Sequence, residues 1–263
     1  MFYFQAHRGG IEHFAENSLE AILDAWKYIE AIPEVDVRIS KDNVYVCHHD
    51  SSLIHPLKGE CEISSLRYDE LLKCDISSPH YPKTPIARFE GVLQEMAKNE
   101  KRWLYVDLKE GDVDTLKKMF VAYKVHNRII MVHHSIEFLR LCEGYKTMTW
   151  CEGTTQEIIS RYTRLESEHF EGVSQIQFHL YSELRGKTLA LSLDSSFLHH
   201  ALKSTQDYNV DLQIRVFPEL HSPTLAYLKE IGIRWYESAY PHLFTQLMYS
   251  LSSQIVPKEI VLL

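Results

Sequence analysis

Short runs of alternating apolar and polar residues follow one another along the chain, separated by stretches with an apolar residue every third or fourth position. The first pattern is that of half-buried strands and the second that of helices with one buried face. Phe2-Tyr3-Phe4 predicts a first strand ending at His7. Asn17 or Ser18 can cap a helix carrying Leu19, Ile22, Leu23, Trp26 and Ile29, with Glu20 in its first turn. A second strand starts near Ala31, and others are expected at 103–109, 129–132, 146–151, 176–180, 211–217 and 231–236. Helical periodicity falls at 89–100, 113–124, 136–143, 156–168, 196–208, 222–230 and 241–252. Eight strand–helix units imply a parallel sheet with right-handed crossovers. Within 263 residues they predict an α/β protein of the (β/α)8 TIM-barrel class, read as one catalytic domain over residues 1–263. A doubly wound open sheet is the rival, and no GxGxxG or Walker motif supports it.

Two interruptions stand out. Val35, Val37 and Ile39, then Val44 and Val46, alternate as paired strands around Lys41-Asp42-Asn43, which is turn chemistry. A hairpin therefore protrudes after strand 2. With Asp42 and Asn43 as its two central residues, partners have numbers summing to 85 and Asp36 lies across from His49. Glu34, Asp36 and His49 then share one face, and His48 alternates away. Residues 51–88, rich in Ser, Pro and Lys, read as a long irregular insertion before strand 3 with one short helix at 68–73. Loops of this length are usually lids or substrate walls.

Composition narrows the function. Net charge is −8, so a basic nucleic-acid surface is not expected. No apolar run approaches a membrane span, and MFYFQAHRGG lacks the charge and apolar pattern of a signal peptide. The five cysteines are odd in number and lack CxxC spacing, which favours a reducing cytoplasm over a disulfide framework or structural zinc.

In a barrel the functional groups gather at the C-terminal ends of the strands, where His7, Glu34, Asp36 and Asp107 fall. Three carboxylates, Glu34, Asp36 and Asp107, need a compensating cation to stay ionised together. All-oxygen ligands suit Mg2+ or Ca2+, with Mn2+ a further candidate. His7 and His49 can carry protons near neutral pH. Arg8 offers a planar donor fork for phosphate, and Lys109 shares a strand face with Asp107. Together these groups make a reasonable site for cleaving a phosphodiester.

The ordered motifs His7-Arg8-Gly9, Glu16-Asn17-Ser18-Leu19, Glu34-Val35-Asp36-Val37, Lys41-Asp42 and His49-Asp50 resemble the glycerophosphodiester phosphodiesterase family, as do Leu66 to Leu71 and Val106-Asp107-Leu108-Lys109. The resemblance spans residues 5 to 110. It implies a barrel of the phosphatidylinositol phospholipase C type that hydrolyses glycerophosphodiesters to glycerol 3-phosphate and an alcohol with a divalent metal. It also implies His7 and His49 as the acid–base pair, Glu34, Asp36 and Asp107 as ligands, and Arg8 and Lys109 facing the phosphate. The chain departs from the pattern in several places. Asp107 stands where Glu is usual, Asn43 replaces a glycine, and Ile214-Arg215-Val216-Phe217 replaces a Trp-Thr-Val-Asn run. The substrate-selecting half is thus the divergent one.

Blander readings accompany these. Asp107 and Lys109 can be a structural ion pair, and Asn17 either only a cap or a group that orients a metal ligand. His133-His134 and His199-His200 suggest zinc, but adjacent residues point apart and no third ligand is suitably spaced. His133 and His179 end strands and can line a pocket, while Trp150, Phe217 and Trp235 can wall a site or fill a core. The functional alternatives are a phospholipase of the same barrel acting on lysophospholipid or sphingolipid, and a non-catalytic barrel that binds phosphate esters. An insertion with exposed apolar residues would favour lipid, and a polar one a small soluble diester as the partner molecule. Oligomeric state is not encoded in any motif.

Overall fold

The structure is a computed structural model that describes residues 1–77, 79–251 and 259–263. The chain forms two compact units, residues 6–132 with 239–241, and residues 1–5, 133–238 and 242–263. Strand β1 (Tyr3–Ala6) ends at the boundary.

The first unit continues with α1 (Leu19–Ala25), β2 (Ala31–Ile39), β3 (Tyr45–Cys47), β4 (Ser52–His55) and β5 (Gly59–Glu62). It goes on with α2 (Tyr68–Leu71), β6 (Ala87–Arg88), α3 (Phe89–Ala97), β7 (Leu104–Leu108), α4 (Val113–Ala122) and β8 (Ile129–Val132). Its main sheet runs β8-β7-β2-β3-β6, with β2, β7 and β8 parallel. Ser18 is the cap of α1, accepting from the Ala21 amide at 3.1 Å. The helix is shorter than its periodicity suggests. Trp26 closes it by donating its indole N–H to the Trp103 carbonyl at 2.9 Å, so Ile29 lies beyond the helix and is exposed. Strand β2 is buried on both faces over its first seven residues, which is why its polar residues must find partners inside the protein.

Residues 51–71 are more regular than expected, whereas the described residues of 72–86 carry no helix or strand. Strands β4 and β5 form an antiparallel hairpin. Leu53, Ile63, Leu66, Leu71, Cys74 and Ile86 pack with Val46 into a core of their own. Ile54, at 65% exposure, and Leu57, at 88%, remain outside. Residue 78 lies outside the described residues. The loop after β7 is fastened to β3, because the Tyr45 hydroxyl donates to the Asp112 carbonyl at 2.9 Å and accepts from its amide at 3.0 Å. Gly111 beneath that ring has φ +129°, and a Cβ there would meet Tyr45 Cε1 at 2.5 Å. Gly111→Ala is therefore expected to lower stability by about 1–3 kcal/mol, read as a fall in the denaturant midpoint. An unchanged midpoint would contradict the packing described.

The second unit holds α5 (Ile136–Leu141), β9 (Lys146–Cys151), α6 (Thr155–Ser167), β10 (Gln175–Arg185), β11 (Thr188–Leu191), α7 (Ser195–Asp207) and β12 (Asp211–Phe217). It is completed by α8 (Ser222–Glu230), β13 (Trp235–Ser238), α9 (Pro241–Ser250) and β14 (Glu259–Leu262). Its strand order is β1-β13-β12-β10-β9, with β9, β10, β12 and β13 parallel. The expected strand 231–236 is displaced toward β13, because Ile231 caps α8 and Gly232 turns the chain at φ +101°. Strand β10 runs past its expected end and folds back on β11 through Gly186, with β14 parallel to β11. Residue 252, the expected end of the last helix, lies outside the described residues.

The eight strands β1, β2, β7, β8, β9, β10, β12 and β13, each followed by helix, give the (β/α)8 barrel fold, with a hairpin after the second and the 51–88 insertion before the third. No helix among the described residues is long and apolar enough to cross a membrane.

Candidate active site

All the proposed site residues lie in the first unit. Strands β2 and β7 pair in parallel with Asp36 directly beside Asp107 and Glu34 beside Tyr105. Glu34 and Asp36 project from one face of β2. The result is a group of three carboxylates, Glu34, Asp36 and Asp107, whose ligand oxygens all lie within 4.8 Å of one another. They are 3%, 3% and 6% exposed, so their charges face each other with little water to screen them. Among the described residues this is the one group of His, Cys, Asp and Glu side chains that could hold a metal ion.

Protein groups partly offset this charge. The chain after β1 turns sharply through His7–Gly9, with Arg8 at φ +52°. Gly9 lets the turn press against α1, where a Cβ would come 3.0 Å from the Ile22 amide. The turn aims the Arg8 amide at Glu34 Oε2, 2.8 Å away. Arg8 Nη1 donates to Glu16 at 2.8 Å, and its Nε lies 3.5 Å from Asp36 Oδ2. Asn17 does not cap α1. Held at φ +57°, it donates to Asp36 Oδ2 at 2.9 Å and accepts from the Asp36 amide at 3.0 Å. That double hold fixes the carboxylate's orientation.

Lys109 Nζ lies 2.6 Å from Asp107 Oδ2 and 3.3 Å from Asp36 Oδ1. Burial works against the ammonium charge, but the Asp107 and Asp36 carboxylates outweigh it and raise the Lys109 pKa above its ordinary value. The ion pair foreseen as the bland reading is thus present, and it lies against the same three carboxylates. Cys47, fully buried on β3, has its thiol pKa pushed up by burial and by the Asp36 and Glu34 charges, which makes it a poor nucleophile.

The hairpin register differs from the sequence expectation by one residue. Val37 pairs with Cys47, Arg38 with Val46 and Ile39 with Tyr45, so partner numbers sum to 84. The loop has three residues rather than two, with Asn43 left-handed at φ +62°. Ser40 and Asp42 stabilise it, the Ser40 hydroxyl donating to Asp42 at 2.8 Å and accepting from the Val44 amide at 2.9 Å. Three-residue loops of this kind add one residue to the turn and shift the pairing. His48, not His49, therefore lies across from Asp36, its amide donating to the Asp36 carbonyl at 2.9 Å. Because β3 ends at Cys47, the pleat does not choose between the two histidines. His49 Nδ1 is 2.8 Å from Asp50 Oδ1, a contact that lowers the Asp50 pKa. His48 Nδ1 instead meets the Asp50 carbonyl at 3.0 Å.

The remaining histidine candidates have local partners. His133 Nδ1 accepts from the Ser135 amide, His199 Nδ1 meets the Ser195 carbonyl, and His200 pairs with Glu166. His179 in the second unit lies between Gln177 and Glu152, and burial, aided by Arg215, lowers its pKa to about 4. Trp150 bonds Glu152, and Trp235 stacks on Tyr3. Arg38 is the residue that sequence reasoning passed over. It follows Asp36 on the same strand face and holds the His49 backbone. Its sequence signal was the i, i+2 spacing itself.

A (β/α)8 barrel whose second and third strands present three buried carboxylates beside an arginine and a lysine belongs to the class that can seat a hard cation. Residues 7–137 match the Glycerophosphoryl diester phosphodiesterase family, and the chain belongs to that family. It is 27% identical over 135 residues to glycerophosphodiester phosphodiesterase 1 of Bos taurus, a match covering 48% of this chain and 40% of that protein. The match thus spans less than half the length of its curated relative. A solved structure from Silicibacter pomeroyi superposes with a TM-score of 0.74 at 14% identity, covering 96% of this chain and 94% of the other. The glycerophosphodiester phosphodiesterase of Agrobacterium tumefaciens gives 0.69 at 14% identity, covering 93% and 99%. At such identities the two structures show the shared fold.

Proposed function

We propose that this chain is a metal-dependent phosphodiesterase that cleaves glycerophosphodiesters to glycerol 3-phosphate and an alcohol. The observation that carries the reading is the convergence of Glu34, Asp36 and Asp107 within 4.8 Å, flanked by Arg8 and Lys109. The donor set fits a hard divalent cation such as Mg2+, Ca2+ or Mn2+, because it is all oxygen and carries one more negative charge than the two flanking cations offset. These three carboxylates would hold the ion, which when bound supplies positive charge against the phosphoryl oxygens. Arg8 and Lys109 bind and orient the phosphate. His7 takes the proton from the attacking hydroxyl, either water or the neighbouring glycerol hydroxyl, and His49 returns one to the departing alkoxide. The assignment treats residues 1–263 as one catalytic domain acting on a small soluble diester, and the five free cysteines support a reducing, cytoplasmic setting.

The insertion exposes apolar residues, which keeps a lipid substrate as a second reading. Leu53, Ile63, Leu66 and Leu71 are spent on its own core, leaving Ile54 and Leu57 as the exposed apolar pair of the β4–β5 hairpin. The test is hydrolysis of glycerophosphocholine, glycerophosphoethanolamine, lysophosphatidylcholine and bis(p-nitrophenyl) phosphate, with each ion and after chelation. Metal-dependent release of glycerol 3-phosphate from the two glycerophosphodiesters is expected. Faster turnover of the lysolipid would favour the phospholipase reading, and no hydrolysis of any diester the phosphate-ester-binding one.

A further inference from the structure

Arg38 continues the row of polar side chains that begins with Glu34 and Asp36 on β2. Its side chain is only 14% exposed, and a guanidinium so placed must be committed to partners. Nε and Nη2 both donate to the carbonyl oxygen of His49, at 2.9 and 2.6 Å. Nη1 lies 3.8 Å from Glu110 Oε2. Glu110 is itself tied back to β2, its amide donating to the Val37 carbonyl at 3.3 Å. The fork is therefore braced from the same strand that carries two of the three carboxylates. It acts just past the end of β3 at Cys47 and one residue beyond the His48 amide, which still bonds the Asp36 carbonyl at 2.9 Å. Asp50 completes the arrangement by engaging Nδ1 of the imidazole at 2.8 Å, which leaves Nε2 as the nitrogen free for proton transfer.

We infer that Arg38 is a positioning residue, which sets the distance between the His49 imidazole and the carboxylate cluster by holding the His49 carbonyl. This rests on the reading of His49 as proton donor given above. Two parallel N–H groups on one acceptor fix both distance and angle, as a single rotatable ammonium does not. Arg38→Lys should therefore recover only part of the effect.

The expected loss depends on the leaving group. A choline alkoxide needs a proton as it departs, whereas p-nitrophenolate leaves without one, so a displaced general acid harms only the first reaction. Arg38→Gln in the full chain, assayed at saturating metal, is expected to lower kcat on glycerophosphocholine by about 100-fold. KM should stay within about threefold, and kcat on the p-nitrophenyl ester of glycerol 3-phosphate should fall by less than about fivefold. Arg38→Lys should lie between the two and serves as the informative variant if Arg38→Gln folds poorly, judged by its thermal midpoint and metal-induced shift. Equal losses on both esters, or no loss on either, overturn the inference. His49→Ala run in parallel separates the two levels. If it shows the leaving-group dependence and the Arg38 variants do not, only the Arg38 inference fails. If His49→Ala lacks that dependence, or the wild type hydrolyses neither ester, the functional reading fails and Arg38 loses its role with it.

Discussion

Replacing His7 by alanine is expected to lower turnover of glycerophosphocholine by about 10²–10⁴-fold, the usual contribution of one general acid or base, while the protein folds and binds its cation normally. The reason is a division of labour within the turn after β1. The backbone there is held by the Arg8 amide on Glu34 and by the Gly10 amide on the His7 carbonyl at 2.9 Å. Neither contact uses the imidazole. The variant also keeps all three carboxylates that would bind the metal. Steady-state kinetics with calorimetric metal titration checks this, and a normal rate in the variant would remove His7 from the mechanism. Comparison with His49→Ala assigns the direction of proton flow. A base acts on the nucleophile, so the His7 defect should be similar for good and poor leaving groups, while that of His49 should shrink as the leaving group improves.

The second large effect concerns Asp36. It accepts from Asn17, lies 3.5 Å from Arg8 and 3.3 Å from Lys109, and belongs to the three-carboxylate group. With all three carboxylates ionised, the cluster and its two cations carry one net negative charge, which attracts a dication. Asp36→Asn keeps the shape but brings that charge to zero and removes a ligand. Cation affinity should fall by more than the roughly 10–100-fold typical of losing a supporting contact. The metal-induced rise in thermal midpoint should disappear at concentrations that saturate the wild type, where binding at 100 times Kd stabilises by about 2.7 kcal/mol. Calorimetry and thermal scans with and without Mn2+ measure both. Unchanged affinity would mean the ion binds elsewhere. Asn17→Ala should give a smaller loss in the same direction, since it frees the Asp36 carboxylate without removing it.

Much of this was legible in the residues. The β/α alternation is written in apolar spacing, and the strand carrying Glu34 and Asp36 is recognisable because two acids interrupt an otherwise buried run. Asp107 emerged from the sharp WLYVDLK strand, and the parallel register then brought it beside Asp36. The hairpin register was misjudged. It depends on whether a turn closes over two residues or three, and that was decided by hydroxyl and carboxylate contacts of Ser40 and Asp42. The order within residues 51–88 was missed because its apolar residues meet only after the chain has folded back, so no local period announces them. Strand β14 was invisible for a similar reason, since it pairs with β11, some seventy residues earlier. The partners of Arg38 and Asn17 lie 11 and 19 residues away, so spacing marks Arg38 only as sharing a strand face with Asp36, and Asn17 reads equally as a cap or as a group orienting a ligand.

The small core beneath the insertion has a consequence for how this chain can be recombined with its relatives. Val46 belongs to that core, and Val44 packs against it, although both precede residue 51. A transplant cut at residue 51 would leave the donor segment without the side chains that complete its interior. A workable graft must begin before Val44 and so carries His48, His49 and Asp50 with it. Whatever the segment contributes to the choice of leaving group is then inherited as one block with the histidine assigned to protonate that group.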